Sequence, residues 1–354
     1  AYARLATVLL PKDYVRYRLT GVLATDPSDA SATLMYDTAR LRWSEEILRA
    51  VDVSSAIVPE VGGSAEILGH LTAEAAAVTT LTKGTPVVGG GADNACGAAG
   101  VGAIVPGEVV ESWGTSGTVL APLSEPRVDP RLRAHTFCHV VPGVWYMMGV
   151  VLSAGGAVGW YREQFARELG DSREDLKRLD EEAAVVRAGA GGVTFLPYLQ
   201  GERTPHRDAA ARGAFLGLSL AHTRAHTTRA VLEGVCFALR DSLTLLQHLG
   251  LSPSHLLLTG GGARSAFLRR LQAEVFGLPV TTVNREEGPA YGAALLAAVG
   301  AGAFPDLAAA ARTTLARAPL QHPEPGAHAE YAEPYARFRD AYRAARPDLL
   351  SHAG

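Results

Sequence analysis

The sequence predicts an α/β protein of two or more domains, and three observations support this prediction. Its 354 residues are more than a single hydrophobic core usually organises. Hydrophobic residues make up 47% and charged residues 19%, a globular composition that can fill a large core. Apolar strands alternate with helical patterns, and residues 255–283 follow the order strand, glycine turn, helix, strand, which implies parallel pairing.

The first hundred residues contain helical, turn-rich and strand patterns. Residues 1–19 have apolar positions at helical spacing, so the chain is expected to open within a helix. Residues 24–50 begin with a turn-rich run, TDPSDASAT, and continue into a helical one, LRWSEEILRAV. Residues 85–93 predict a short strand and three glycines, and Asp93 then opens a run of small residues typical of a tightly packed helix.

Strands and helices alternate through the rest of the chain. The predicted elements are two strands around a glycine turn at 108–122, a strand at 145–153, a helix at about 155–170, a strand at 191–199, a long helix at 223–249, a helix at 288–303 and an amphipathic helix at roughly 328–346. A domain boundary is expected near residues 100–107, where small residues and a Pro-Gly pair separate two blocks. The predicted domains are therefore 1–103 and 104–354.

Composition and motifs argue against several classes of function. The formal net charge is -3 without a long basic run, so a broad nucleic-acid-binding surface is not expected. No stretch reaches 18 consecutive apolar residues, so no membrane span is expected. Three widely spaced cysteines favour a reducing compartment over a disulfide framework. The motif GxxxxGK[ST] is absent, so a P-loop nucleotide site is excluded.

Three glycine-rich turns follow predicted strands, at residues 89–91, 114–118 and 260–265. Glycine permits close backbone approach, and consecutive amides form anion-binding concavities to which a following helix adds its positive end. The hydroxyls of the second turn add further donors. Such turns suit the phosphates of a nucleotide, although each alone is also typical of an ordinary loop.

A dinucleotide site is the alternative interpretation of the third turn. The turn matches part of GxGxxG but lacks the last glycine, and the only acidic residues near the end of the next strand are Glu286 and Glu287. A lone partial GxGxxG is a weak signal. This alternative therefore carries less weight than a phosphate site.

Two clusters of polar residues are weaker candidates. His135 and His139 flank Cys138, and their spacing would suit a metal on a helix, but the surrounding pattern resembles a strand or loop. Arg203 and His206 belong to a polar loop, QGERTPHRD, in which charges are usually solvated. Neither cluster predicts a site by itself.

Asp93 is the main catalytic candidate, and its ordinary interpretation is a helix N-cap. The functional interpretation uses the same position: the positive end of the helix keeps the carboxylate ionised, and the preceding glycines leave it accessible. An ionised carboxylate beside a phosphate donor can accept the proton of an attacking hydroxyl. Asn94 next to it both donates and accepts hydrogen bonds, which suits a polyol substrate.

Five separated motifs, in order, resemble those of the FGGY carbohydrate kinases, and most of all their xylulokinase members. The motifs are PVVGGGADNACGAAG, VVESWGTSGTV, FLPYLQGERTPH, GAFLGL with TRAVLEGVCFAL, and LLLTGGGARS. The segment LLPKDYVRYRLTG with TDPSDAS is similar to a stretch in the latter part of the family's first domain. The resemblance covers about residues 8–345.

The resemblance implies an actin-like ATPase fold of two ribonuclease-H-like domains with ATP in the cleft between them. It implies that Asp93 is the catalytic base and a partner of Mg²⁺, directly or through a water, and that Asn94 contacts the sugar. The positions that match the nucleotide motifs are Gly114, Thr115, Ser116, Gly117, Thr118, Gly155, Gly159, Gly261, Gly262, Ala263 and Ser265. The expected reaction is ATP-dependent phosphorylation of D-xylulose to D-xylulose 5-phosphate in the cytoplasm.

The chain departs from the family pattern at its start. The family begins with an Asp-x-Gly-Thr phosphate motif and a Met-His-Gly-like sugar segment, and neither occurs here. The first domain is therefore expected to lack its N-terminal part, and the chain is predicted to be inactive alone. Another FGGY kinase, for ribulose, gluconate or glycerol, and an actin-like ATPase without sugar chemistry remain alternatives. The resemblance also suggests a homodimer, in which an apolar helix at 229–247 would serve either the core or the interface.

Overall fold

The secondary structure was obtained from a computed structural model, which describes residues 4–170, 172–285 and 288–345. The helices are α1 (Pro11–Thr20), α2 (Pro27–Ala32), α3 (Glu45–Ala50), α4 (Ala73–Thr79), α5 (Asp93–Gly100), α6 (Gly155–Phe165), α7 (Arg173–Ala184), α8 (Arg224–His248), α9 (Gly261–Arg264), α10 (Ala266–Phe276), α11 (Pro289–Gly300), α12 (Leu307–Thr314), α13 (Ala327–Glu330) and α14 (Ala332–Ala344). The strands are β1 (Ala24–Thr25), β2 (Tyr36–Asp37), β3 (Arg42–Trp43), β4 (Glu60–Val61), β5 (Ile67–His70), β6 (Pro86–Val88), β7 (Val110–Trp113), β8 (Gly117–Leu123), β9 (His135–Cys138), β10 (Trp145–Val151), β11 (Thr194–Leu196), β12 (Ala214–Leu216), β13 (Leu256–Gly260) and β14 (Val280–Thr281).

A six-stranded mixed sheet organises the second half of the described chain. Its strand order is β14-β13-β7-β8-β10-β9. Strand β13 pairs in parallel with both β14 and β7, which confirms the parallel unit predicted over 255–283. The other neighbours pair antiparallel, beginning with the β7–β8 hairpin around the second glycine turn.

Helices cover both faces of this sheet, so its strands are buried on two sides. On one face Val109 and Trp113 join a core with helices α6, α8 and α10. On the other face Val110 joins a core with α5, α11 and α12. Alternate residues of β7 thus enter different cores, as expected of a pleated strand. Helix α5, which Asp93 opens, consequently lies on the sheet.

The long helix α8 belongs to the core rather than to an exposed subunit surface. It is buried along most of its length from Thr228 to Leu246. Strands β10 and β11 and helices α7, α10 and α14 pack around it. The apolar pattern at 229–247 is therefore explained by core packing, and the homodimer stays a prediction without support from this helix.

The expectation of a helix over residues 1–19 is confirmed for residues 11–19 and wrong for residues 5–10. Helix α1 begins only at Pro11, because Leu10 is extended and proline favours the first position of a helix. The Val8 N–H donates instead to the carbonyl of Ile57 at 2.8 Å. The helix ends at Gly21, which has φ 75°. Apolar spacing alone did not reveal that the preceding residues pair with another segment.

The interpretation of residues 24–50 is also corrected. The turn-rich run contains helix α2, in which Asp26 is the N-cap and accepts from the Ser28 N–H, with proline at the first helical position. The run predicted to be helical starts as strand β3 and becomes helix α3 only after the cap Ser44. In both places a capping residue, not apolar periodicity, sets where the helix begins.

The remaining predicted elements are present with shorter bounds. Helix α6 stops at Phe165 rather than near 170, and the terminal helix is divided at Tyr331 into α13 and α14. The last predicted helical position, 346, lies outside the described residues, as do Glu286 and Glu287. No helix in the described ranges is both long enough and apolar enough to cross a membrane.

Candidate active site

The second glycine turn connects β7 to β8 at the edge of a cleft. Gly114, Thr115 and Ser116 are exposed, and the Gly114 N–H donates to the Ser116 carbonyl at 3.0 Å. Gly117 is buried, and a Cβ there would lie 2.8 Å from the side chain of Leu239 on α8. The turn therefore offers hydroxyls and backbone at its tip, while its base is fixed against the core.

The start of α6 packs directly on this turn. The amides of Ala154 and Gly156 donate to the Thr115 carbonyl, at 3.0 and 2.9 Å, and the Gly155 amide donates to Gly114 at 2.8 Å. A Cβ at Gly155 would lie 2.5 Å from the Gly114 carbonyl oxygen, so only glycine fits there. The first amides of α6 are thus occupied by the turn and do not form a separate anion site.

The third glycine turn meets the second at Trp113. A Cβ at Gly260, which has φ 76°, would lie 2.5 Å from the Trp113 carbonyl oxygen. A Cβ at Gly262 would lie 2.7 Å from the Trp113 ring. Beyond the turn, Ser265 caps α10 by accepting from the Leu268 amide. The two turns are therefore held together by backbone contacts that side chains would prevent.

A cavity of about 980 Å³ opens between these turns and helices α6, α7 and α10. This volume is at the upper end of the range typical of cofactor sites. The predicted nucleotide residues that line it are Gly114, Thr115, Gly155, Gly159, Gly261, Gly262 and Ser265. Trp160, Arg162, Asp180 and Phe267 also line it and were not predicted. Ser116, Gly117 and Ala263 lie beside the cavity rather than on its wall.

Asp93 and Asn94 line a second, smaller cavity of about 230 Å³. Thr118, the last residue of the second glycine turn, lines it too, so the same turn borders both cavities. The cavity is also lined by residues that the sequence analysis missed: Ser112, Thr259, and Gly288 and Pro289 at the start of α11. Their only sequence signal was position, since each lies within three residues of a predicted glycine turn or at the start of a predicted helix.

Asp93 is the first residue of α5 and is not its N-cap. The cap position is Ala92, and no side chain caps this helix end. Asp93 is exposed, and its Oδ1 accepts from the Asn94 N–H at 2.6 Å and from Asn94 Nδ2 at 2.9 Å. The N-cap interpretation is therefore wrong, and the carboxylate faces a cavity at the positive end of a helix.

The first glycine turn positions Asp93 and does not form an anion cradle. The amides of Gly89 and Gly90 donate to protein carbonyls, at Glu66 and Ser64, each at 2.9 Å. The Ala92 amide donates to Ser28 Oγ at 2.8 Å. Because these amides are already bonded within the protein, the expectation of phosphate binding at residues 89–91 is corrected.

A buried ionic cluster fixes this first turn from the other side. Lys12 Nζ donates to the Gly89 carbonyl at 3.1 Å and pairs with Asp13, Asp26 and Asp29 at 2.7, 3.1 and 3.5 Å. Burial raises the pKa of Asp29 to about 6, although Lys12 opposes the shift. Burial lowers the pKa of Lys12, but the pairing with Asp26 and Asp13 raises it by more, so the net pKa is raised. The lysine therefore stays charged and holds the turn in place.

A magnesium ion fits Asp93 only as one ligand among several. Among residues 4–170, 172–285 and 288–345, no group of three or more His, Cys, Asp and Glu side chains could hold a metal. Mg²⁺ held by nucleotide phosphates keeps several waters and takes only one or two carboxylates. His135 and Cys138 lie on strand β9, so the helical metal spacing predicted as an alternative does not occur.

The loop GERTPH is less solvated than expected. Arg203 is exposed, but Glu202 and Thr204 are 2% and 1% exposed. His206 stacks on Tyr342 of α14, with ring centroids 3.6 Å apart. The loop is thus built into the core near β10, and Glu202 is a site candidate that the sequence analysis missed.

The family comparisons decide which protein class this geometry belongs to. The family model described as "FGGY family of carbohydrate kinases, N-terminal domain" matches residues 1–100, and the corresponding C-terminal domain matches residues 109–301. The chain belongs to the FGGY family of carbohydrate kinases. FGGY kinases use ATP as the phosphate donor and have a two-domain, actin-like ATPase fold, so the protein is an ATP-dependent carbohydrate kinase with that fold.

Curated FGGY relatives of this chain include several xylulose kinases. The xylulose kinase of Bacillus subtilis (strain 168) is 38% identical over 342 residues, 97% of this chain and 67% of that protein. The xylulose kinase of Escherichia coli (strain K12) is 40% identical over 301 residues, 85% of this chain and 61% of that protein. The chain thus spans about two thirds of the length of these relatives.

Solved structures of FGGY kinases superpose on nearly the whole chain. A xylulose kinase from Rhodospirillum rubrum matches with a TM-score of 0.88 and 32% identity, covering 99% of this chain and 70% of that one. A kinase from Brucella ovis, titled "xyloylose kinase", matches with a TM-score of 0.87 and 38% identity, with the same coverage. A glycerol kinase from Plasmodium falciparum, at 19% identity and a TM-score of 0.82, shares the fold.

Proposed function

We propose that this FGGY kinase transfers the γ-phosphate of ATP to the 5-hydroxyl of D-xylulose, with Asp93 as the general base. The observation that carries the proposal is the position of Asp93, which is exposed at the start of α5 and lines the smaller cavity. The second glycine turn borders this cavity through Thr118, and the tip of the same turn lines the larger cavity. The relatives named xylulose kinases support the choice of sugar.

The reaction follows from the two adjoining cavities. The nucleotide occupies the cavity of about 980 Å³, so its phosphates extend along residues 114–118 towards Asp93. Asp93 accepts the proton as the sugar oxygen forms its bond to the γ-phosphorus, and the bond to the β-phosphate oxygen breaks, releasing ADP. Mg²⁺ supplies neutralisation of the phosphate charge when it is bound. Asn94 holds the Asp93 carboxylate by two hydrogen bonds to Oδ1, which orients it.

The setting of this reaction is proposed to be the cytoplasm. The three cysteines are free and buried, which agrees with a reducing compartment. The homodimer expected from the resemblance and the domain boundary near residues 100–107 also remain proposals. The matched family ranges end at residue 100 and resume at 109.

A substrate panel tests the proposed sugar. The assay uses a chimera in which the N-terminal third of the Bacillus subtilis xylulose kinase precedes Ala1, and it follows ADP release with ATP, Mg²⁺ and one acceptor at a time. D-Xylulose is expected to give the highest kcat/KM, above D-ribulose, D-gluconate and glycerol. A preference for another acceptor would reassign the substrate within the family, and ADP release that is independent of any sugar would identify an ATPase instead.

A further inference from the structure

The segment GERTPH is joined to the end of strand β10, which lies next to the second glycine turn (residues 114–118). Thr204 exchanges hydrogen bonds with Val150: its N–H donates to the Val150 carbonyl at 2.9 Å, and its Oγ1 accepts from the Val150 N–H at 3.0 Å. Glu202 likewise exchanges two backbone bonds of 2.8 Å with Asp208. The segment is therefore fixed at both of its sides.

The carboxyl group of Glu202 links this segment to the next connection in the chain. Its Oε1 accepts from the Leu152 N–H at 3.0 Å and from the Arg203 N–H at 2.7 Å. Leu152 directly follows β10 and leads into α6. The Leu152 carbonyl accepts from Ser116 Oγ at 3.2 Å. A relay of hydrogen bonds thus runs from buried Glu202, through the backbone N–H and carbonyl of Leu152, to the exposed tip of the second glycine turn.

Burying this carboxyl group is costly, which calls for a compensating role. Glu202 is 2% exposed, and its Oε2 has no hydrogen-bond partner among the described residues. Burial raises the pKa of Glu202 to about 8, so the group is mostly neutral at pH 7, when it still accepts at Oε1. An apolar side chain of similar size would avoid the cost of the unpaired oxygen but would leave the Leu152 amide unpaired.

We propose that Glu202 is a positioning residue for the nucleotide phosphates, acting through Leu152 on Ser116 and on the turn at residues 114–117. The proposal rests on the nucleotide-binding part of the proposed function and not on the choice of sugar. In this role the acceptor atom Oε1 is required and the negative charge is not. Glutamine at position 202 keeps the acceptor, whereas alanine removes it.

Nucleotide affinity separates this role from a general loss of structure. Dissociation constants for ATP, ADP and adenosine are measured by calorimetry on the purified 354-residue polypeptide and its variants. Glu202→Ala is expected to weaken ATP and ADP binding about tenfold, or ~1.4 kcal/mol, and to leave adenosine binding within about twofold. Glu202→Gln is expected to restore the ATP affinity. An equal loss for adenosine and ATP, or no loss, would overturn the proposal.

Two further variants guard against misfolding as the explanation. Thr204→Val removes the hydrogen bonds of the Thr204 hydroxyl to the Val150 N–H and the Arg133 carbonyl without touching Leu152. It should therefore lower Tm but leave the ratio of ATP to adenosine affinity unchanged. Ser116→Ala cuts the exposed end of the relay, and Glu202→Ala should then add less than about twofold in that background, because coupled residues are not additive. Additive losses would contradict the relay.

Hydrogen exchange without nucleotide tests the relay independently of binding. Glu202→Ala should raise amide exchange in residues 114–118, and Glu202→Gln should not. Unchanged exchange in Glu202→Ala overturns the relay even if ATP binds. If the unmodified polypeptide bound no nucleotide while the exchange pattern appeared as expected, the relay would stand and the proposed nucleotide site would fail.

Discussion

At the scale of single residues, the carboxyl groups of Asp93 and Glu111 have opposite surroundings. Asp93 is exposed at a helix start, whereas Glu111 lies within β7 and is 1% exposed. Neither carboxyl oxygen of Glu111 has a hydrogen-bond partner among the described residues. Burial raises the pKa of Glu111 to about 8, so this side chain is mostly neutral at pH 7. Asp93 lines a cavity, whereas the buried, unpaired carboxyl group of Glu111 destabilises the fold.

Glu111 makes the stability of the fold depend on pH. Its folded pKa lies above its unfolded value of 4.5, so the unfolded state loses the proton first as pH rises. This group therefore lowers the free energy of unfolding progressively between about pH 4.5 and pH 8. We expect Glu111→Leu to raise the free energy of unfolding at pH 8 by on the order of 1–3 kcal/mol and to have a smaller effect at pH 5.

Thermal and urea unfolding at the two pH values measure this difference. Glu125→Leu is the control, because the Glu125 side chain is 72% exposed and has little to gain from losing its charge. An equal effect of Glu111→Leu at pH 5 and pH 8 would contradict the assignment of a raised pKa.

The position of Asp93 at a helix start could be predicted from the sequence, but the burial of Glu111 and Glu202 could not, for a physical reason. Asp93 follows three glycines and opens a helix, so its neighbours in the chain define its surroundings. Glu111 interacts electrostatically with Cys236 of α8, more than 110 residues later in the chain, and Glu202 bonds to a residue 50 positions earlier. Patterns of adjacent residues carry no information about such partners.

At the scale of elements, the candidate site is made by loops that touch through glycine. The β7–β8 turn, the start of α6 and the turn after β13 meet around Trp113, where side chains would collide with backbone. The sequence analysis identified all three segments and the strands that carry them. It could not predict that the first glycine turn differs from the other two, because the carbonyls that occupy its amides come from residues 64 and 66.

Gly155 and Gly159, both on α6, are expected to respond in opposite ways to alanine. At Gly155 the Cβ would lie 2.5 Å from the Gly114 carbonyl oxygen, so the substitution must push α6 away from the second glycine turn and destabilise the fold. At Gly159 nothing lies within 4 Å of the Cβ, so alanine should stabilise the helix by about 0.5–1 kcal/mol. Thermal unfolding of the two variants, made as a matched pair, measures the contrast.

Nucleotide binding adds a second readout to this pair. Gly159 lines the cavity of about 980 Å³, so its alanine variant should bind ATP more weakly while unfolding at a higher temperature. Undiminished ATP affinity in Gly159→Ala would remove this residue from the proposed nucleotide site. A rise of Tm in Gly155→Ala would contradict the close packing of the turn.

At the scale of the whole molecule, the sequence contains some of the family's phosphate-binding motifs and lacks another. Both FGGY domain models match ranges of this chain, and the second and third glycine turns lie in the C-terminal range. The family's Asp-x-Gly-Thr phosphate motif does not occur in the 354 residues. Resemblance of motifs predicted the family and the fold correctly, because five motifs in order constrain a fold far more than any one turn.

The polypeptide of these 354 residues, assayed by itself, is expected to lack xylulose kinase activity. Phosphoryl transfer depends on donors on both sides of the phosphates, and the known family motif for one side is not in this sequence. The measurement compares the polypeptide with the chimera carrying the Bacillus subtilis N-terminal third. Equal turnover by both would show that residues within this chain supply the missing donors.

The central claim is that Asp93 accepts the proton of the sugar hydroxyl, and replacing it in the active chimera tests that claim most directly. Asp93→Asn keeps the size and polarity of the side chain but removes the base. We predict a loss of kcat of at least a thousandfold, or ~4 kcal/mol, with the dissociation constant of ATP changed by less than about twofold. A kcat within about tenfold of the unsubstituted chimera would contradict the assignment of the base.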